Sequence, residues 1–543
     1  MDILNVMSSL KAKLPEISEA EQTPLVQALL RIILEQQVRI EELEAEIKRL
    51  KELKGKPKSM PSRMDAETEK PGGEESGEGR KRGPQRSKTA ELKIHEEKVI
   101  TPEGLPSEAR EQGWRFKGYD DFMVQELKIE MCNMRYRLEA WQGPDGQYLK
   151  GQLPESVDGH YGAQLKSYVL YQYHHQRVTQ PLLLEQLHEW GVEISAGQLN
   201  HLVTEQHDAF HAEKAQLLEV GLQVSRHLQT DDTGARHNGK NGYCTYIGNE
   251  FFAWFESTES KSRVNFLSLL RAGHTDYVLH VGALEYMARH KLPQSKLKQL
   301  EEGKSFPGKK EWDAYLEEAG ITGRKHLQIA TEGALVGSLL AKGFPATMGI
   351  VSDEAEVAKH GQFNVFRHAL CWIHAERNIN KLVPLNATHA KHIDWVRCQI
   401  WDLYADLKAY KTDLSLQTAE FQEEVRARFD ELCRTRTAYQ TLNQHLKRLA
   451  RDQEELFRVL DDPSLPLHNN LSEGDIREYV SRRKTSGSTR SEDGRRCRDT
   501  FTSLKKTCRK LGISFWRYLY DRVSQVNTIL PLAEAIRVAA AGG

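Results

Sequence analysis

The sequence has no long apolar run and no closely spaced cysteine pair. None of its apolar stretches approaches the roughly 18 residues that a membrane-spanning helix requires. Its first residues also lack the cationic, apolar and cleavage regions of a signal peptide. The seven cysteines are scattered without a C-x-x-C pair, which argues against a disulfide framework and a zinc ribbon. These absences predict a cytoplasmic protein that does not associate with membranes.

The net charge is also close to zero, because the sequence has 76 lysines and arginines and 77 aspartates and glutamates. The charges are unevenly spread, however. Between Arg477 and Lys510, twelve basic residues stand against four acidic ones. Such a strip suits binding to DNA phosphates through the release of counterions. The candidate DNA-binding residues are Arg477, Arg482, Arg483, Lys484, Arg490, Arg495 and Arg496.

The length of 543 residues predicts two to four domains. Residues 24–51 repeat β-branched residues at one heptad position and mostly leucine at another, which predicts a parallel coiled coil and therefore a homodimer. A helix packed on its own chain is the alternative. We assign 1–53 to this dimerisation helix. Residues 54–93 are dense in proline, glycine, serine and charge, which predicts a disordered linker.

Residues 94–222 are expected to form a mainly helical DNA-binding region. Within it, residues 183–206 read as a helix, a turn at Gly191 and a second helix capped by Ser195. This pattern resembles a helix-turn-helix, although many helical hairpins have the same appearance.

From about residue 224 the pattern changes to short β-prone stretches. The segments HLQTDD, GYCTYIG and EFFAWFEST predict three antiparallel strands, with turn signals at Asn241-Gly242 and Gly248-Asn249. A helix, an apolar strand YVLHVGAL, a charged helical stretch from about 285 to 340 and a buried strand ATMGIVSD then follow. The segment HALCWIHAERNINKL predicts a further strand and helix.

This order of elements predicts an α/β fold of the ribonuclease H-like type, with a mixed sheet covered by helices on both faces. We expect residues 223–384 to form the first part of this core. Residues 385–465 are expected to be a helical insertion, and 466–543 a returning core helix with a basic C-terminal region.

Three carboxylates occupy chemically suggestive places. Asp231 ends the first predicted strand, Asp353 ends the buried strand, and Glu473 begins a helix. Carboxylates on a sheet and an adjoining helix suit two magnesium ions that promote phosphodiester cleavage. Each residue alone is better explained as a solvated strand end or a helix cap. Their combined order, followed at once by the basic strip, indicates phosphoryl-transfer chemistry.

The segments LQTDDTGAR, SDEA with ALCWIHAER, and HNNLSEGDIR with SRRKTSGSTRS resemble the catalytic blocks of the insertion-sequence-sixty-six family of DDE transposases. The resemblance implies that Asp231, Asp353 and Glu473 are catalytic and hold two Mg²⁺ ions, with Mn²⁺ able to substitute. It also implies terminal inverted repeats and target DNA as substrates, and accessory proteins of the same element as partners.

The sequence departs from the family pattern in several positions. The first block reads Asp231-Asp232-Thr233 where the family has Asp-Glu-Thr, so either aspartate could face the metal, although position favours Asp231. Only Cys132 lies between residues 90 and 155, so the family's zinc knuckle is not expected. Gly474 replaces the arginine that often follows the glutamate, and Arg477 is its nearest substitute.

Other residues admit two interpretations. His368, Cys371 and His374 could ligate a metal, but their apolar surroundings favour the core. Trp372 is also expected in the core. Arg377 could approach a phosphate or be a solvated surface residue, and the latter is favoured. The aromatic residues between 515 and 520 could stack on bases, but their helical spacing favours packing.

We therefore expect a dimeric DNA transposase that performs metal-dependent cleavage and strand transfer at the ends of a mobile element. A ribonuclease H-like nuclease is one alternative. A catalytically inactive, transposase-derived DNA-binding protein is the other.

Overall fold

A computed structural model describes residues 93–105, 113–119, 122–154, 157, 159–345, 347–353 and 366–542, together with Thr23 and Val26. The chain divides into two units, Met1–Lys93 and Ile94–Gly543. Apart from Thr23, Val26 and Lys93, the predicted coiled coil and linker lie outside the described residues. The second unit is described below. Across the described residues, no helix is both long and apolar enough to cross a membrane.

The beginning of the second unit has little regular structure among its described residues. Strands β1 (Ala140–Gln142) and β2 (Tyr148–Lys150) form a short antiparallel pair and are fully exposed. The region 94–222 was expected to be mainly helical, but after Lys93 the described helices begin only at Ala163. The large apolar residues described before that point are mostly exposed; Phe122, for example, is 90% exposed.

Among the described residues, four helices and a π-helical turn precede the main sheet. They are α1 (Ala163–Leu170), the π-turn (Tyr171–His175), α2 (Gln180–Glu189), α3 (Ala196–Thr204) and α4 (Asp208–Val224). The turn between α2 and α3 contains Gly191 in the left-handed region, with φ +79°. Ser195 caps α3 and forms a reciprocal capping box with Gln198. The helix–turn–helix arrangement predicted for residues 183–206 is therefore confirmed as a local structure.

Three strands follow α4 in an antiparallel meander. They are β3 (His227–Gly234), β4 (Tyr243–Gly248) and β5 (Ala253–Thr258). Strand β3 pairs with β4, and β4 pairs with β5. The three antiparallel strands predicted from the sequence are confirmed.

A mainly helical segment separates β5 from the rest of the sheet. Its helices are α5 (Arg263–Leu270), α6 (Val281–Arg289), α7 (Gln294–Leu297), α8 (Lys309–Glu318) and α9 (Arg324–Ala341). Two short strands, β6 (Tyr277–Val278) and β7 (Ser305–Phe306), form a separate antiparallel pair. Helix α9 is almost completely buried between Ile329 and Leu339.

The prediction that the whole run YVLHVGAL is a core strand was wrong. Only Tyr277 and Val278 form a strand, and they pair with β7 outside the main sheet. The chain then enters α6, where the ring of His280 accepts the backbone N–H of Gly282 at 3.1 Å. The place beside β3 is occupied instead by a later strand, Gly349–Ser352.

The main sheet is completed by β8 (Gly349–Ser352) and β9 (Arg367–Leu370). Strand β8 lies parallel to β3, and β9 lies parallel to β8. The strand order is β5-β4-β3-β8-β9, so the sheet is mixed, as the sequence predicted. Helix α10 (Trp372–Asn380) follows β9 directly.

The remaining described chain is helical. Between α10 and residue 465 lie α11 (Ala387–Thr412), a 3-10 turn (Leu414–Leu416), α12 (Ala419–Arg434), α13 (Gln440–Arg451), α14 (Gln453–Leu456) and α15 (Arg458–Asp461). The last four helices are α16 (Asn470–Ser486), α17 (Glu492–Lys510), α18 (Phe515–Val523) and α19 (Leu532–Gly542).

Helix α17 covers the open edge of the main sheet at β5. The side chains of Thr507, Ser503 and Asp499 accept the backbone N–H groups of Ala253, Phe255 and Ser257 at 3.1, 3.0 and 2.8 Å. Four residues along a helix and two along a strand span nearly the same distance, so the side chains of α17 fall in register with every second N–H group of β5. The edge strand therefore has no row of unpaired donors there.

We predict that Thr507→Val destabilises the fold. The isosteric change removes the hydroxyl that bonds the N–H and C=O of Ala253 at 3.1 and 3.2 Å. An unsatisfied buried N–H should lower the free energy of unfolding by about 1–3 kcal/mol, measured by urea denaturation. Thr485→Val is the control, because its exposed hydroxyl bonds only within α16. Equal stability of both variants would contradict the role of α17 as an edge cover.

Candidate active site

The parallel pairing of β3 and β8 brings the two candidate aspartates together. Gln229 is the register partner of Val351. The same register, extended by two residues, places Asp231 beside Asp353, which directly follows β8. Because side chains alternate along a strand, these four residues share one face of the sheet.

Helix α16 is attached to that same face by its first turn. The Asn469 side chain donates to the carbonyl of Thr230 at 2.9 Å. The backbone N–H of Ser472 donates to the side-chain oxygen of Gln229 at 3.2 Å. Asn469 and Ser472 are both fully buried. These contacts hold Glu473, in the first turn of α16, next to β3.

The choice between Asp231 and Asp232 follows from the pairing with β4. Asp231 is the register partner of Tyr246, whose hydroxyl donates to Asp475 of α16 at 3.0 Å. Asp232 is the partner of Thr245 and accepts its hydroxyl at 2.5 Å. Asp231 is therefore on the face covered by α16, and Asp232 is on the opposite face.

Burial and the neighbouring acidic residues raise the pKa of Asp231. Burial raises the pKa of Asp231 to about 7, and the charges of Asp353, Asp232 and Glu473 act in the same direction. The backbone N–H of Asp232, which donates to Asp231 at 2.7 Å, opposes the shift. The site thus concentrates negative charge that a bound cation would stabilise.

Glu473 is surrounded by basic side chains. Arg377 of α10 contacts its Oε1 at 2.7 Å, and Arg477 contacts its Oε2 at 3.4 Å. His374, also on α10, has its Nε2 3.6 Å from Glu473 Oε1 and 4.0 Å from Asp353 Oδ2. His374 and Arg377 therefore belong to the same site as the carboxylates.

Sequence reasoning missed His374 and Arg377, because it favoured the core for the histidine and the solvent for the arginine. A usable signal was present, since the two residues are three apart and lie on one face of a helix. Burial lowers the pKa of His374, while the charges of Asp353 and Glu473 oppose that effect.

The neighbouring residues are structural, as the sequence predicted. Cys371 is buried, accepts the N–H of Asn469 at 3.2 Å, and burial raises its pKa to about 11. His368 is bonded to the hydroxyl of Ser352 at 2.9 Å, and burial lowers its pKa to about 4. The Trp372 indole donates to the carbonyl of Leu456 at 2.7 Å.

The donor set suits a hard divalent cation, since Asp231, Asp353 and Glu473 offer carboxylate oxygens. Their accumulated negative charge also fits such an ion. Within the described part of the chain, however, no three histidine, cysteine, aspartate or glutamate side chains are already gathered closely enough to hold a metal together. The ion-pair partners of Glu473 Oε1 are the cationic side chain of Arg377, at 2.7 Å, and the ring of His374, at 3.6 Å.

The basic strip is not one continuous solvated surface. Arg477, Lys484, Arg490 and Arg496 are exposed. Arg483 and Arg495 are partly buried: Arg483 donates to Thr233 and Gly234, and Arg495 pairs with Glu492 at 2.6 Å.

Arg482 departs from the sequence interpretation. It is only 5% exposed, and its guanidinium lies 4.1 Å from the ring centre of Tyr173. Lys505 and Lys506 are also buried and pair with Glu478 and Asp475 at 2.6 and 3.2 Å. Arg482 is therefore not a surface DNA contact in this structure, because its helix turns it towards the π-turn.

The aromatic residues of α18 follow the packing interpretation. Phe515 and Tyr518 are buried in the main hydrophobic core. Tyr520 is 41% exposed. The buried pair is thus unavailable for stacking on bases.

Comparison with known proteins identifies the family. The family model described as "Transposase IS66 family" matches residues 340–496. The uncharacterized protein y4jO of Sinorhizobium fredii (strain NBRC 101917 / NGR234) is 39% identical over 325 residues, covering 59% of this chain and 99% of that relative. The chain belongs to the IS66 transposase family.

The part matched by the IS66 family model contains Asp353, the whole of α10 and Glu473. Asp231 precedes the matched residues and is joined to them by the pairing of β3 with β8. Membership of the IS66 family indicates a transposase function.

We predict a pH-dependent stability difference between the wild type and Asp231→Asn when divalent metals are removed by EDTA. The pKa of Asp231 in the folded protein is about 7, above its ordinary value of 3.8. The folded state therefore keeps a proton that the unfolded state has released, and this carboxyl destabilises the fold increasingly as pH rises from about 4 to about 7. Urea denaturation at several pH values would measure the effect.

The Asp231→Asn variant should gain stability relative to the wild type across that pH range, because the amide carries no charge. Asp145→Asn, in the exposed turn between β1 and β2, is the control. Parallel pH curves for the wild type and Asp231→Asn would show that neither burial nor the acidic neighbours raise the pKa of Asp231.

Proposed function

We propose that this protein is a DDE-type DNA transposase that cleaves DNA at the ends of a mobile element and joins the freed 3′ ends to target DNA. The observation that supports this most is the convergence of three distant carboxylates on one face of the sheet. The β3–β8 register ends at the pair Gln229–Val351, and its continuation by two residues brings Asp231 beside Asp353. The attachment of α16 to β3 adds Glu473.

The proposed core is ribonuclease H-like. Three consecutive antiparallel strands are followed by two parallel ones, in the order β5-β4-β3-β8-β9. Helices α16 and α17 pack against β3 and β5, respectively. This arrangement supports the fold assignment and brings the ends of the two central strands to one edge.

The proposed cofactor is a pair of Mg²⁺ ions held by Asp231, Asp353 and Glu473, with Mn²⁺ able to substitute. When bound, such ions activate a water molecule and stabilise the departing 3′ oxygen. Arg377 and Arg477 orient the Glu473 carboxylate through its two oxygens. An ion held at Oε1 of Glu473 would take the place of the Arg377 contact, and the Arg377 guanidinium would then turn to a phosphate of the DNA.

DNA is the proposed partner, both as the terminal inverted repeats and as the target. The exposed basic residues of the strip supply phosphate contacts: Arg477, Lys484, Arg490 and Arg496. The α2–α3 hairpin supports a role in recognition, because the first turn of α3 is exposed. We further propose a homodimer formed through residues 24–51, accessory proteins from the same element, and a place on the bacterial nucleoid.

We predict that Asp231→Asn, Asp353→Asn and Glu473→Gln each abolish Mg²⁺-dependent cleavage while leaving DNA binding nearly unchanged. The loss should exceed the roughly 10- to 100-fold that follows removal of an outer-shell partner of a metal. The substrate is a DNA fragment carrying the sequences that flank the reading frame. Cleavage is measured on gels, and binding by fluorescence anisotropy.

Asp232→Asn is the matched control, since this neighbouring carboxylate is on the opposite face of β3. It should retain cleavage. Normal cleavage by any of the three site variants would remove that residue from the proposed triad. A protein that cuts these ends but fails to join pre-cut ends to target DNA would be a nuclease, and one without any cleavage would be an inactive DNA-binding protein.

We predict that the double variant Lys484→Gln/Arg490→Gln lowers the salt dependence of DNA binding. Both side chains are exposed, so each is free to contact a phosphate. The slope of log K against log salt should shrink by roughly one unit for each lost contact. Lys447→Gln, exposed on α13 in the helical insertion, should leave the slope unchanged. An unaltered slope in the double variant would mean that this part of the strip is merely solvated.

A further inference from the structure

A small polar cavity lies where the π-turn, α16 and α17 meet. It is lined by His174, Glu478, Arg482, Arg498, Thr502 and Lys505. Its volume is about 10 Å³, which is room for one species of the size of a water molecule. The cavity is separate from the carboxylates of the candidate active site.

Arg482 reaches this cavity with unsatisfied donors. The residue is 5% exposed, and its Nε and Nη1 atoms have no hydrogen-bond partner among the described residues. Its guanidinium lies over the Tyr173 ring, which offers an electrostatic contact with the ring face. Buried charged donors are strongly unfavourable without an acceptor, so an acceptor is required here.

The charges around the cavity are not balanced by its lining residues. Glu478 is the only carboxylate among them, and it already serves Lys505 at 2.6 Å and Arg177 at 3.6 Å. Arg498 is 8% exposed and donates to the carbonyl of Gly487 at 3.0 Å. Arg482 and Arg498 therefore bring positive charge that the lining does not neutralise.

We propose that this cavity binds one small monovalent anion, for which chloride is the appropriate probe. The anion accepts hydrogen bonds from Nε and Nη1 of Arg482. The room for a single water-sized species favours a monatomic anion over sulfate, inorganic phosphate or a DNA phosphate group. The site thus joins the C-terminal half of α16, whose N-terminal turn carries Glu473, to the π-turn of the helical region.

The test measures the NMR line width of chloride in the presence of the full-length protein, with gluconate replacing chloride at constant ionic strength. Wild-type protein should broaden the signal beyond the contribution of its surface, and added bromide should reverse the broadening. Arg482→Met keeps the apolar stem but removes the guanidinium, so the excess broadening should vanish. Arg490→Met, which removes an exposed arginine of the same strip, should behave as the wild type.

Equal broadening by the wild type and Arg482→Met would overturn the proposal, provided circular dichroism shows that the variant is folded. A second measurement avoids any variant. Crystals of the wild-type protein soaked in bromide should show an anomalous peak within hydrogen-bond distance of Arg482. The absence of that peak would also refute the small-anion site. So would a bound chloride that phosphate displaces as readily as bromide does.

Discussion

The attachment of the first turn of α16 to β3 is the interaction on which the candidate site depends. Asn469 and Ser472 are buried. Asn469 bonds the backbone of Thr230, and Ser472 bonds the side chain of Gln229; the two β3 residues precede their partners by 239 and 243 positions. These bonds lie closest in the chain to Glu473 and set its place relative to Asp231, and the bonds from Tyr246 to Asp475 and from Arg483 to Gly234 attach the rest of α16 to the sheet. Buried polar groups must find partners, so this geometry is strongly specified.

In the same region, some basic residues are exposed and others are buried in ion pairs. Helices α16 and α17 present some of their cations to solvent and bury others against Glu478 and Asp475. Helix α17 also uses three polar side chains to satisfy the edge of the sheet. The basic residues of this segment therefore stabilise the core as well as presenting positive charge to solvent.

Local patterns predicted much of the fold. The strand meander, the α2–α3 hairpin with its Ser195 cap, and the buried strand before Asp353 all follow from alternation, turn residues and capping. The strand expected at 277–284 failed because a short apolar run is equally compatible with a helix entrance. His374 and Arg377 were missed because a sequence shows helical spacing but not which neighbour a helix face meets.

By itself, the sequence determined which carboxylates stand beside strand and helix ends, because those signals are local. It also determined the family resemblance. Only the tertiary structure decided that Asp231 rather than Asp232 lies beneath α16, that α10 brings His374 and Arg377 to Glu473, and that Arg482 turns inward. These outcomes depend on strand register and helix rotation, which are set by contacts between residues far apart in the chain.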